Sequence, residues 1–383
     1  MLIILRTTTA CNMSCRYCSG SCNNFLRNDI NFDLIKLVAE NLPSILEPEE
    51  PVSLLWHGGE PLLLEPSFFK EANDLLMDYL GQRGHGVNIQ IQSNLLEMDE
   101  GWIKVLSDFK VTVGGSVDGP DFLHDRNRLT SEGMASYHMV IKNVERLKSA
   151  GVPVSLLCVI NNDHLNHIDE FSEWLNSVAC SVRLNPLLRC GNSDGAISLN
   201  RYYEFLKQIF ISALDKRKNF NIEPLSWMIK SVFLGFQPTE CSFSGSCGKN
   251  SIAIFPDGNV SACGRSIKGF DFYGNIFEKS LPELLDSPAC SALLDRQKNL
   301  AASCGMCEIY KWCHGGCPQV NGLFPDKKNC QSTIDFFRWL QKDGLILFKK
   351  SLLKEKMLLQ KEMKVLEAAR SQLEDSREAG SYV

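Results

Sequence analysis

The feature that most constrains this fold is an alternation of short β-branched runs with longer helical patterns over roughly the first half of the chain. Six runs predict strands at Leu2–Thr8, Val52–Trp56, Val87–Gln92, Lys110–Val117, Val152–Ile160 and Ser181–Leu188. Apolar residues spaced i, i+3 and i+4 predict helices near 31–46, 66–80, 99–108, 134–150 and 164–178. Strands that alternate with helices form a parallel sheet covered by the helices. The expected fold class is α/β, and a partial (β/α)6 barrel fits the number of strands.

A chain of 383 residues exceeds what one hydrophobic core usually organises, so several units are expected. The predicted units are a barrel over 1–197, a helical connector over 198–237, a loop-rich cysteine module over 238–331 and a helical extension over 332–383. In the extension, leucines recur every seven residues, but their companion positions include charged residues, which favours a helix docked on the protein over a zipper. These leucines are Leu352, Leu359, Leu366 and Leu373, and the charged companions are Glu355, Lys356 and Glu362.

Charge and hydropathy exclude two classes of partner. The formal net charge of −5 argues against nucleic acid, because a protein that tracks phosphates is usually basic. No apolar run approaches the roughly 18–20 residues that span a bilayer, and the opening run is too short for a signal peptide. We therefore expect a cytoplasmic protein that binds neither nucleic acid nor membrane.

Sixteen cysteines in a large chain without a signal peptide indicate reduced thiols that bind metal. Cys11, Cys15 and Cys18 follow the first strand, where loops of such barrels carry catalytic groups. A [4Fe–4S] cluster normally takes four cysteines, so three leave one iron open for another ligand. A zinc knuckle completed by Cys22 is the alternative.

Two further motifs follow predicted strands. In the first, Gly58 and Gly59 allow close backbone approach to a ligand and Glu60 can receive an ammonium group, although a simple turn explains the glycines equally well. In the second, Ser116 precedes Asp118, which we interpret as a turn-forming residue. Arg128 lies twelve residues after Ser116 and presents a fork that suits a carboxylate.

A second series of eight cysteines lies between residues 241 and 330 and can hold two cubane clusters, or two zinc ions instead. Its members are Cys241, Cys247, Cys263, Cys304, Cys307, Cys313, Cys317 and Cys330. The remaining cysteines have no assigned role, and Cys158 and Cys180 are interpreted as small buried side chains.

These motifs together resemble the radical S-adenosylmethionine (SAM) superfamily, and the later cysteines resemble its SPASM auxiliary-cluster domain. By spacing, the series is similar to that of anaerobic sulfatase-maturating enzymes. The resemblance implies three [4Fe–4S] clusters: a SAM-binding cluster on Cys11, Cys15 and Cys18, one auxiliary cluster on Cys241, Cys247, Cys263 and Cys317, and another on Cys304, Cys307, Cys313 and Cys330. It also implies a SAM pocket formed by Tyr17, Gly58, Gly59, Glu60, Asn94, Ser116, Arg128 and Leu187.

The implied reaction is reductive cleavage of SAM to a 5′-deoxyadenosyl radical that abstracts hydrogen from a substrate carbon. In sulfatase-maturating enzymes an Asp directly follows the cysteine that corresponds to Cys263, and it serves as general base. Here that position is Gly264, so the general base is not assignable; His314, Asp257 and Glu97 are substitutes more typical of ordinary surface.

The expected substrate is therefore a ribosomally made precursor peptide that receives an intrapeptide crosslink. A carbon–carbon link of the cyclophane type comes first and a thioether second. A sulfatase-type formylglycine-forming enzyme, or another protein side-chain oxidase, is the alternative. A non-enzymatic iron–sulfur electron carrier or zinc module is a further one, but it leaves Gly58–Glu60 and the Ser116 and Arg128 pair unexplained.

The expected partners are the precursor peptide and a low-potential electron donor of the flavodoxin or ferredoxin type. Because the sequence opens at the first predicted strand, we expect no N-terminal leader-recognition domain. The precursor is then expected to dock on the barrel, the SPASM face or the C-terminal helix, or through a separate leader-recognition protein. We also hypothesise that the C-terminal helix takes part in docking, so that deletion of 349–383 weakens precursor binding and unchanged affinity refutes the idea.

Overall fold

The computed structural model describes residues 1–18, 27–187, 195–215, 221–238, 240–248, 250–264, 272–317, 327–354 and 356–357, without the side chains of 327–329. The strands are β1 Leu2–Arg6, β2 Met13–Cys15, β3 Val52–His57, β4 Val87–Ser93, β5 Thr112–Ser116, β6 Arg128–Thr130, β7 Val154–Ile160, β8 Ser181–Pro186, β9 Ile222–Glu223, β10 Ser251–Ile254, β11 Asn259–Ser261 and β12 Gly274–Asn275. The helices are α1 Phe32–Asn41, α2 Pro66–Gly81, α3 Glu100–Asp108, α4 Asp121–Asn127, α5 Tyr137–Ser149, α6 Ile168–Ser177, α7 Leu199–Asp215, α8 Leu225–Leu234, α9 Leu281–Leu285, α10 Pro288–Cys304, α11 Tyr310–Cys313 and α12 Lys327–Trp339.

The predicted parallel sheet is confirmed. Six strands lie side by side in the order β1-β3-β4-β5-β7-β8, and each adjacent pair is parallel. The sheet does not close into a full barrel, because β8 pairs with β9, which forms one edge of the sheet. Crossover helices join these strands, as the alternation of patterns predicts. All six carboxyl ends therefore meet at one edge of the sheet, where loops carry chemistry.

Most predicted element bounds are close to the observed ones, and the differences have local causes. The fourth strand begins at Thr112 instead of at Lys110, because Lys110 takes a left-handed conformation with φ of 51° as the chain leaves α3. The first helix ends at Asn41 and gives way to a 3-10 turn that contains Pro43, which supplies no N–H. The predicted connector divides into α7 and α8, and α8 ends at the left-handed Gly235.

The cysteine module is more regular than its glycines and prolines predict. Strand β10 pairs in parallel with β1, with Leu2 opposite Ser251, and β11 and β12 extend the same sheet antiparallel. The 17-residue helix α10 also lies in this module. The buried Leu281 of α9 and Leu293 of α10 belong to the hydrophobic core that includes the barrel strands. Shared strands and apolar packing therefore join the module to the barrel.

The described part of the C-terminal extension is helical and docked on the protein, as expected. Phe336 and Phe337 of α12 are fully buried, and Phe336 stacks on Tyr203 of α7 with ring centroids 4.8 Å apart. Leu352 is half exposed, while the other three leucines of the heptad series lie outside the described residues. None of the helices within the described ranges is long and apolar enough to cross a membrane.

Candidate active site

A cavity of about 710 Å³ opens at the carboxyl edge of the parallel strands and extends under the cysteine module. All of the residues that the sequence singles out for cofactors line it, from both parts of the chain. They are Cys11, Cys15, Tyr17, Cys18, Gly58, Gly59, Glu60, Asn94, Ser116, Arg128, Leu187, Cys241, Cys247, Cys263, Cys304, Cys307, Cys313, Cys317 and Cys330. The volume lies within the range of roughly 300–1,000 Å³ typical of small-molecule sites.

The first three cysteines are held by a two-stranded ribbon that the sequence does not reveal. Strand β2 pairs antiparallel with β6, which places Cys15 opposite Arg128. The N–H of Cys18 donates to the carbonyl of Cys15 at 3.1 Å, and the Asn94 amide lies 3.7 Å from the Cys11 sulfur. The loop therefore brings its thiols to one side of the cavity.

The thiols of this loop affect one another's protonation. Burial raises the pKa of Cys15 to about 11, and the nearby Cys18 and Cys11 add to that rise while Arg128 opposes it. The guanidinium Nη1 of Arg128 is 3.9 Å from the Cys15 sulfur. Iron or another bound cation would lower the pKa of Cys15 and stabilise the thiolate, which is the form that ligates metal.

The two glycines after β3 allow the backbone to approach the cysteine loop. The N–H of Gly59 donates to the carbonyl of Thr8, and the N–H of Glu60 donates to that of Ala10. A Cβ on Gly59 would lie only 1.8 Å from the Ala10 oxygen, so no side chain fits there. The close approach is thus to the cysteine loop itself, which these bonds hold in place.

Glu60 is held by hydrogen bonds from three donors within the protein. Its carboxylate is buried and accepts hydrogen bonds from the N–H groups of Leu62 and Asn94 and from the Ser93 hydroxyl, at 2.7–3.0 Å. Burial raises the pKa of Glu60 to about 7, against the effect of these donors. These bonds fix the carboxylate at the end of β4, on the lining of the cavity, and its predicted role as acceptor for an ammonium group stays a prediction.

Asp118 differs from its predicted role as a turn-former. It is fully buried, lies 3.1 Å from the Nε of Arg128, and accepts hydrogen bonds from the Tyr17 hydroxyl and the Val159 N–H. Burial would raise the pKa of Asp118, but Arg128, His124 and these donors together lower it. The carboxylate ties the cysteine loop to β6 and β7, and Arg128 thereby has one side of its guanidinium engaged within the protein.

The ring of His124 contacts the backbone of Asp118. Sequence reasoning does not predict this role. The Asp118 N–H lies 3.3 Å from the Nδ1 of His124, while its Nε2 is 3.0 Å from the Ser136 hydroxyl. Since that hydroxyl donates to the carbonyl of Arg128, Nε2 carries the proton. Burial lowers the pKa of His124 to about 4, so the imidazole is neutral near pH 7. The only sequence signal is its place in the His124-Asp125 step after Asp118.

Ser116 and Leu187, two further residues of the predicted pocket, also line the cavity. The Ser116 hydroxyl ends β5 and accepts a hydrogen bond from Gln92 at 3.1 Å. Leu187 is buried after β8, with its N–H bonded to the carbonyl of Ile160. Leu187 contributes an apolar side chain to the cavity lining, and Ser116 and Arg128 contribute polar ones.

The later cysteines fall into two groups of neighbours. Burial raises the pKa of Cys247 to about 12, with further contributions from Cys317, Cys241 and Cys263. Burial likewise raises the pKa of Cys313 to about 12, and here the neighbouring thiols that add to it are Cys304, Cys330 and Cys307. These sets coincide with the two ligand sets that the family resemblance implies. Within the described ranges, no three Cys, His or carboxylate groups meet closely enough for a single metal ion.

The remaining cysteines do not line the cavity in the part that is described. Cys158 and Cys290 are buried and Cys180 is half-buried, which agrees with a packing role for Cys158. Cys22 and Cys190 lie outside the described residues. Of the substitute bases, Asp257 and Glu97 are exposed, and the His314 ring bonds to the carbonyl of Phe243 at 2.6 Å. None of the three is among the residues that line the cavity.

The donor set fits iron–sulfur clusters with SAM. Eleven cysteine side chains face one cavity, and the eight later ones divide into two sets of four, the number that a cubane takes. The first set has three thiols and sits beside the glycine pair, Ser116 and Arg128, which can hold a ligand on the open iron.

Comparison with known proteins agrees with this geometry. Residues 5–175 match the Radical SAM superfamily and residues 241–308 match SPASM, an iron–sulfur cluster-binding domain. The chain is 26% identical over 370 residues to a cysteine-type anaerobic sulfatase-maturating enzyme of Clostridium perfringens, covering 88% of this chain and 95% of that protein. It is 25% identical over 338 residues to the serine-type enzyme of Klebsiella aerogenes, covering 86% and 82%. The solved structure of anSMEcpe with bound AdoMet and Kp18Cys peptide has the same fold, with a TM-score of 0.77, 21% identity and coverage of 91% and 99%.

Proposed function

We propose that this chain, which carries a radical SAM domain and a SPASM domain, crosslinks two side chains of a peptide, with a carbon–carbon bond as first choice. The parent activity is that of a radical SAM oxidoreductase that uses SAM and [4Fe–4S] clusters. Peptide or protein substrates are suggested by the relatives, which mature sulfatases. The observation that carries the proposal is Gly264, which lines the cavity where a catalytic carboxylate would stand.

The proposed roles of the protein residues follow from their positions. Cys11, Cys15 and Cys18 hold the SAM-binding cluster, and the sets around Cys247 and Cys313 hold two auxiliary clusters. The backbone at Gly58 and Gly59, with Ser116, Arg128 and Leu187, binds and orients SAM beside Tyr17. When bound, SAM and the clusters supply a hydrogen-abstracting carbon radical and an acceptor for one electron. The cavity walls keep the reacting carbon away from water.

The lining offers no built proton acceptor among the described residues. The carboxylates among the described lining residues are Glu60, which accepts three hydrogen bonds, and Glu240, which forms an ion pair with Arg183. The imidazole of His57 accepts the Gly58 N–H on Nδ1 at 2.7 Å. Oxidation of a cysteine side chain must remove a thiol proton with a pKa of about 8.5, for which a base is useful. An aromatic ring that has gained a carbon substituent and lost an electron is a cation, and it regains aromaticity when it releases its proton. Water is a strong enough base to accept that proton.

A thioether crosslink is the second form of the same proposal. Formylglycine formation is a second candidate function, favoured by the coverage of 95% of a cysteine-type sulfatase-maturating enzyme. It would require a proton acceptor other than a side chain at 264, such as solvent or a substrate group. A low-potential flavodoxin or ferredoxin is the proposed electron donor, and a separate leader-recognition protein is the second proposed partner.

Isotope transfer tests the proposal. Precursor peptides encoded beside the gene would be synthesised with deuterium on their β-carbons and incubated anaerobically with reconstituted enzyme, SAM and dithionite. We expect deuterium in the 5′-deoxyadenosine product and a peptide that has lost two hydrogen atoms. Cleavage of SAM without deuterium transfer from any β-carbon would contradict it.

A further inference from the structure

Asn94 lines the cavity but has no part in the SAM-binding roles proposed above. It directly follows β4, and it is buried. The partners of its side-chain amide distinguish the oxygen from the nitrogen. Because Oδ1 accepts the N–H of Leu96 at 2.8 Å, the other end of the amide is the NH₂ group, which can donate two hydrogen bonds. The acceptors of the NH₂ group therefore indicate the role of this residue.

Both N–H bonds of this amide have acceptors on the cysteine loop. Nδ2 of Asn94 lies 2.8 Å from Oδ1 of Asn12 and 3.7 Å from Sγ of Cys11. Since sulfur is larger than oxygen, the longer distance is also that of a hydrogen bond. The backbone N–H of Met13 donates to the same sulfur at 3.4 Å. An amide from the end of β4 and an amide of the loop itself therefore meet at the Cys11 sulfur.

The turn after β4 holds Asn94 in this position. Its backbone N–H donates to the Glu60 carboxylate at 2.7 Å, and the Ser93 hydroxyl donates to the other carboxylate oxygen at 2.7 Å. Leu95 takes a left-handed conformation with φ of 56°, which is uncommon and strained for a residue with a Cβ. The Asn143 amide donates to the carbonyl of Leu95 at 3.0 Å. Buried groups thus maintain a strained turn that directs the Asn94 amide at the cysteine loop.

Asn12 offers a further donor on the same loop. Since its Oδ1 accepts from Asn94, its own NH₂ group lies at the other end of its amide. That nitrogen is buried and has no hydrogen-bond partner among the residues that the structure describes. Buried donors are nearly always paired, and a cluster bound to the adjacent Cys11 would supply sulfur acceptors. The donors around Cys11 therefore fit an electron-rich group at this sulfur.

We propose that Asn94 donates a hydrogen bond to the Cys11 thiolate of the SAM-binding cluster and thereby raises the reduction potential of that cluster. This inference rests on the proposed binding of the cluster by Cys11, Cys15 and Cys18, and it does not depend on which peptide reacts. It assigns Asn94 a role in electron uptake that does not require contact with SAM. Asn94 is a positioning residue in this account, because it acts through Cys11.

The sign of the effect follows from charge. The cluster takes one electron from its donor, and this electron increases the negative charge on the sulfur ligands. An N–H donor to one of these sulfurs stabilises the reduced cluster more than the oxidised one, so the potential rises. A higher potential makes reduction by the proposed flavodoxin or ferredoxin more favourable. Removal of the Asn94 amide should therefore make the cluster harder to reduce.

A redox titration followed by EPR tests the proposal on the reconstituted full-length enzyme without SAM. The signal of the SAM-binding cluster is identified as the one that changes when SAM is added to a parallel sample. In Asn94→Ala we expect the equilibrium constant for one-electron reduction of this cluster to fall about tenfold, which is a shift of about 59 mV. The auxiliary clusters should keep their potentials. An unchanged potential of the SAM-binding cluster in Asn94→Ala overturns the proposal.

Two further variants separate the hydrogen bond from general loosening of the fold. Asn94→Asp has nearly the same shape but places a carboxylate beside the thiolate, so it should lower the potential more than Asn94→Ala. Asn73→Ala is the matched control, because Asn73 is also buried but its Nδ2 donates to the carbonyl of Phe69 within α2. It should leave the potential unchanged. An equal shift in Asn73→Ala would count against a specific bond to Cys11.

A measurement with Asn94 intact decides the matter if its variants fail to hold the cluster. Protein with ¹⁵N in its asparagine side chains would carry Asn12→Ser, which removes the neighbouring amide but keeps an acceptor oxygen. Pulsed EPR of the reduced cluster without SAM should detect a coupled ¹⁵N from Asn94, and its absence refutes the bond. A lowered potential in Asn94→Ala without any peptide crosslink would support this inference and count against the proposed function alone. An enzyme without a cluster that responds to SAM would overturn both.

Discussion

Asp118 shows how a single residue can organise a site without touching the reacting atoms. Its carboxylate is withdrawn from water and joined to Arg128 and Tyr17, and both of these residues line the cavity. A buried ion pair contributes little net stability compared with an apolar pair, but breaking one is costly because a charge stays buried alone. We infer that its value here is the orientation of Arg128 and Tyr17 beside the first cysteines.

Asp118→Asn should therefore destabilise the cluster-free protein by about 3–5 kcal/mol near pH 7. The pKa of Asp118 is lowered in the folded state, so its contribution is present above the unfolded pKa of about 4 and is lost as pH falls through the folded pKa. The difference between wild type and variant, measured by urea unfolding, should shrink below about pH 4. A difference that stays constant down to pH 3 would contradict this ion pair.

Gly59→Ala should prevent the cysteine loop from closing, because the new Cβ would meet the Ala10 oxygen. We expect the variant to lose the SAM-binding cluster, which is about four of about twelve irons per chain. Gly81→Ala is the matched control, since nothing lies within 4 Å of a Cβ there. Full iron content in Gly59→Ala would show that the loop does not need this approach.

At this scale the sequence predicts which residues meet but not how they bond. The cysteine spacings and the order of motifs along the strands bring all of the chosen residues to one cavity. The sequence does not reveal the hydrogen bonds of Glu60 or the ion pair of Asp118, because the partners lie far along the chain, at Asn94 and Arg128 among others. No local pattern encodes those partners.

The elements that join the two domains are strand β10 and helix α12. Strand β10 adds to the free edge of β1, which places the SPASM cysteines above the ends of the barrel strands. Helix α12 closes the other side, where Phe336 and Phe337 pack against α7 and α8 aromatic rings including Tyr203 and Trp227. Burial of these aromatic rings provides much of the free energy that attaches α12 to α7 and α8.

Phe336→Ala should lower the free energy of unfolding by about 3–5 kcal/mol, because the ring is fully buried. The matched control is Phe236→Ala, whose ring is 61% exposed and which should change stability by less than about 0.5 kcal/mol. Chemical unfolding of the two variants checks both. Similar effects in the two would mean that α12 is not docked by this ring.

The sequence predicts elements better than it predicts their neighbours. The six barrel strands follow from local pattern, because β-branched runs and helical spacing are properties of the segment. The pairing of β10 with β1 joins residues about 250 apart, and the four-residue run Ser251–Ile254 carries too little pattern to reveal its partner. The glycines and prolines around it predict loops.

For the whole molecule, the notable result is that one cavity contacts all three cysteine sets. Radical generation and electron uptake are thereby proposed to share one enclosed space, with the peptide between them. The domain order along the chain is visible in the sequence. The shared cavity is not, since it depends on how the two domains pack.

Iron content tests the three sets together. Anaerobically reconstituted protein should contain about twelve irons per chain, and Cys247→Ser or Cys313→Ser should each lose about four. Loss from either variant should leave SAM binding intact, as measured by calorimetry. About four irons in the unmodified protein would exclude the two auxiliary clusters.

Tandem mass spectrometry of the peptide product tests the central claim most directly. After anaerobic turnover, we predict a peptide that has lost two hydrogen atoms, retains every side chain, resists fragmentation between the two joined residues and does not react with a hydrazide reagent for aldehydes. A product that fragments normally and carries a hydrazide-reactive aldehyde in place of a cysteine or serine side chain would contradict the crosslink and establish formylglycine formation.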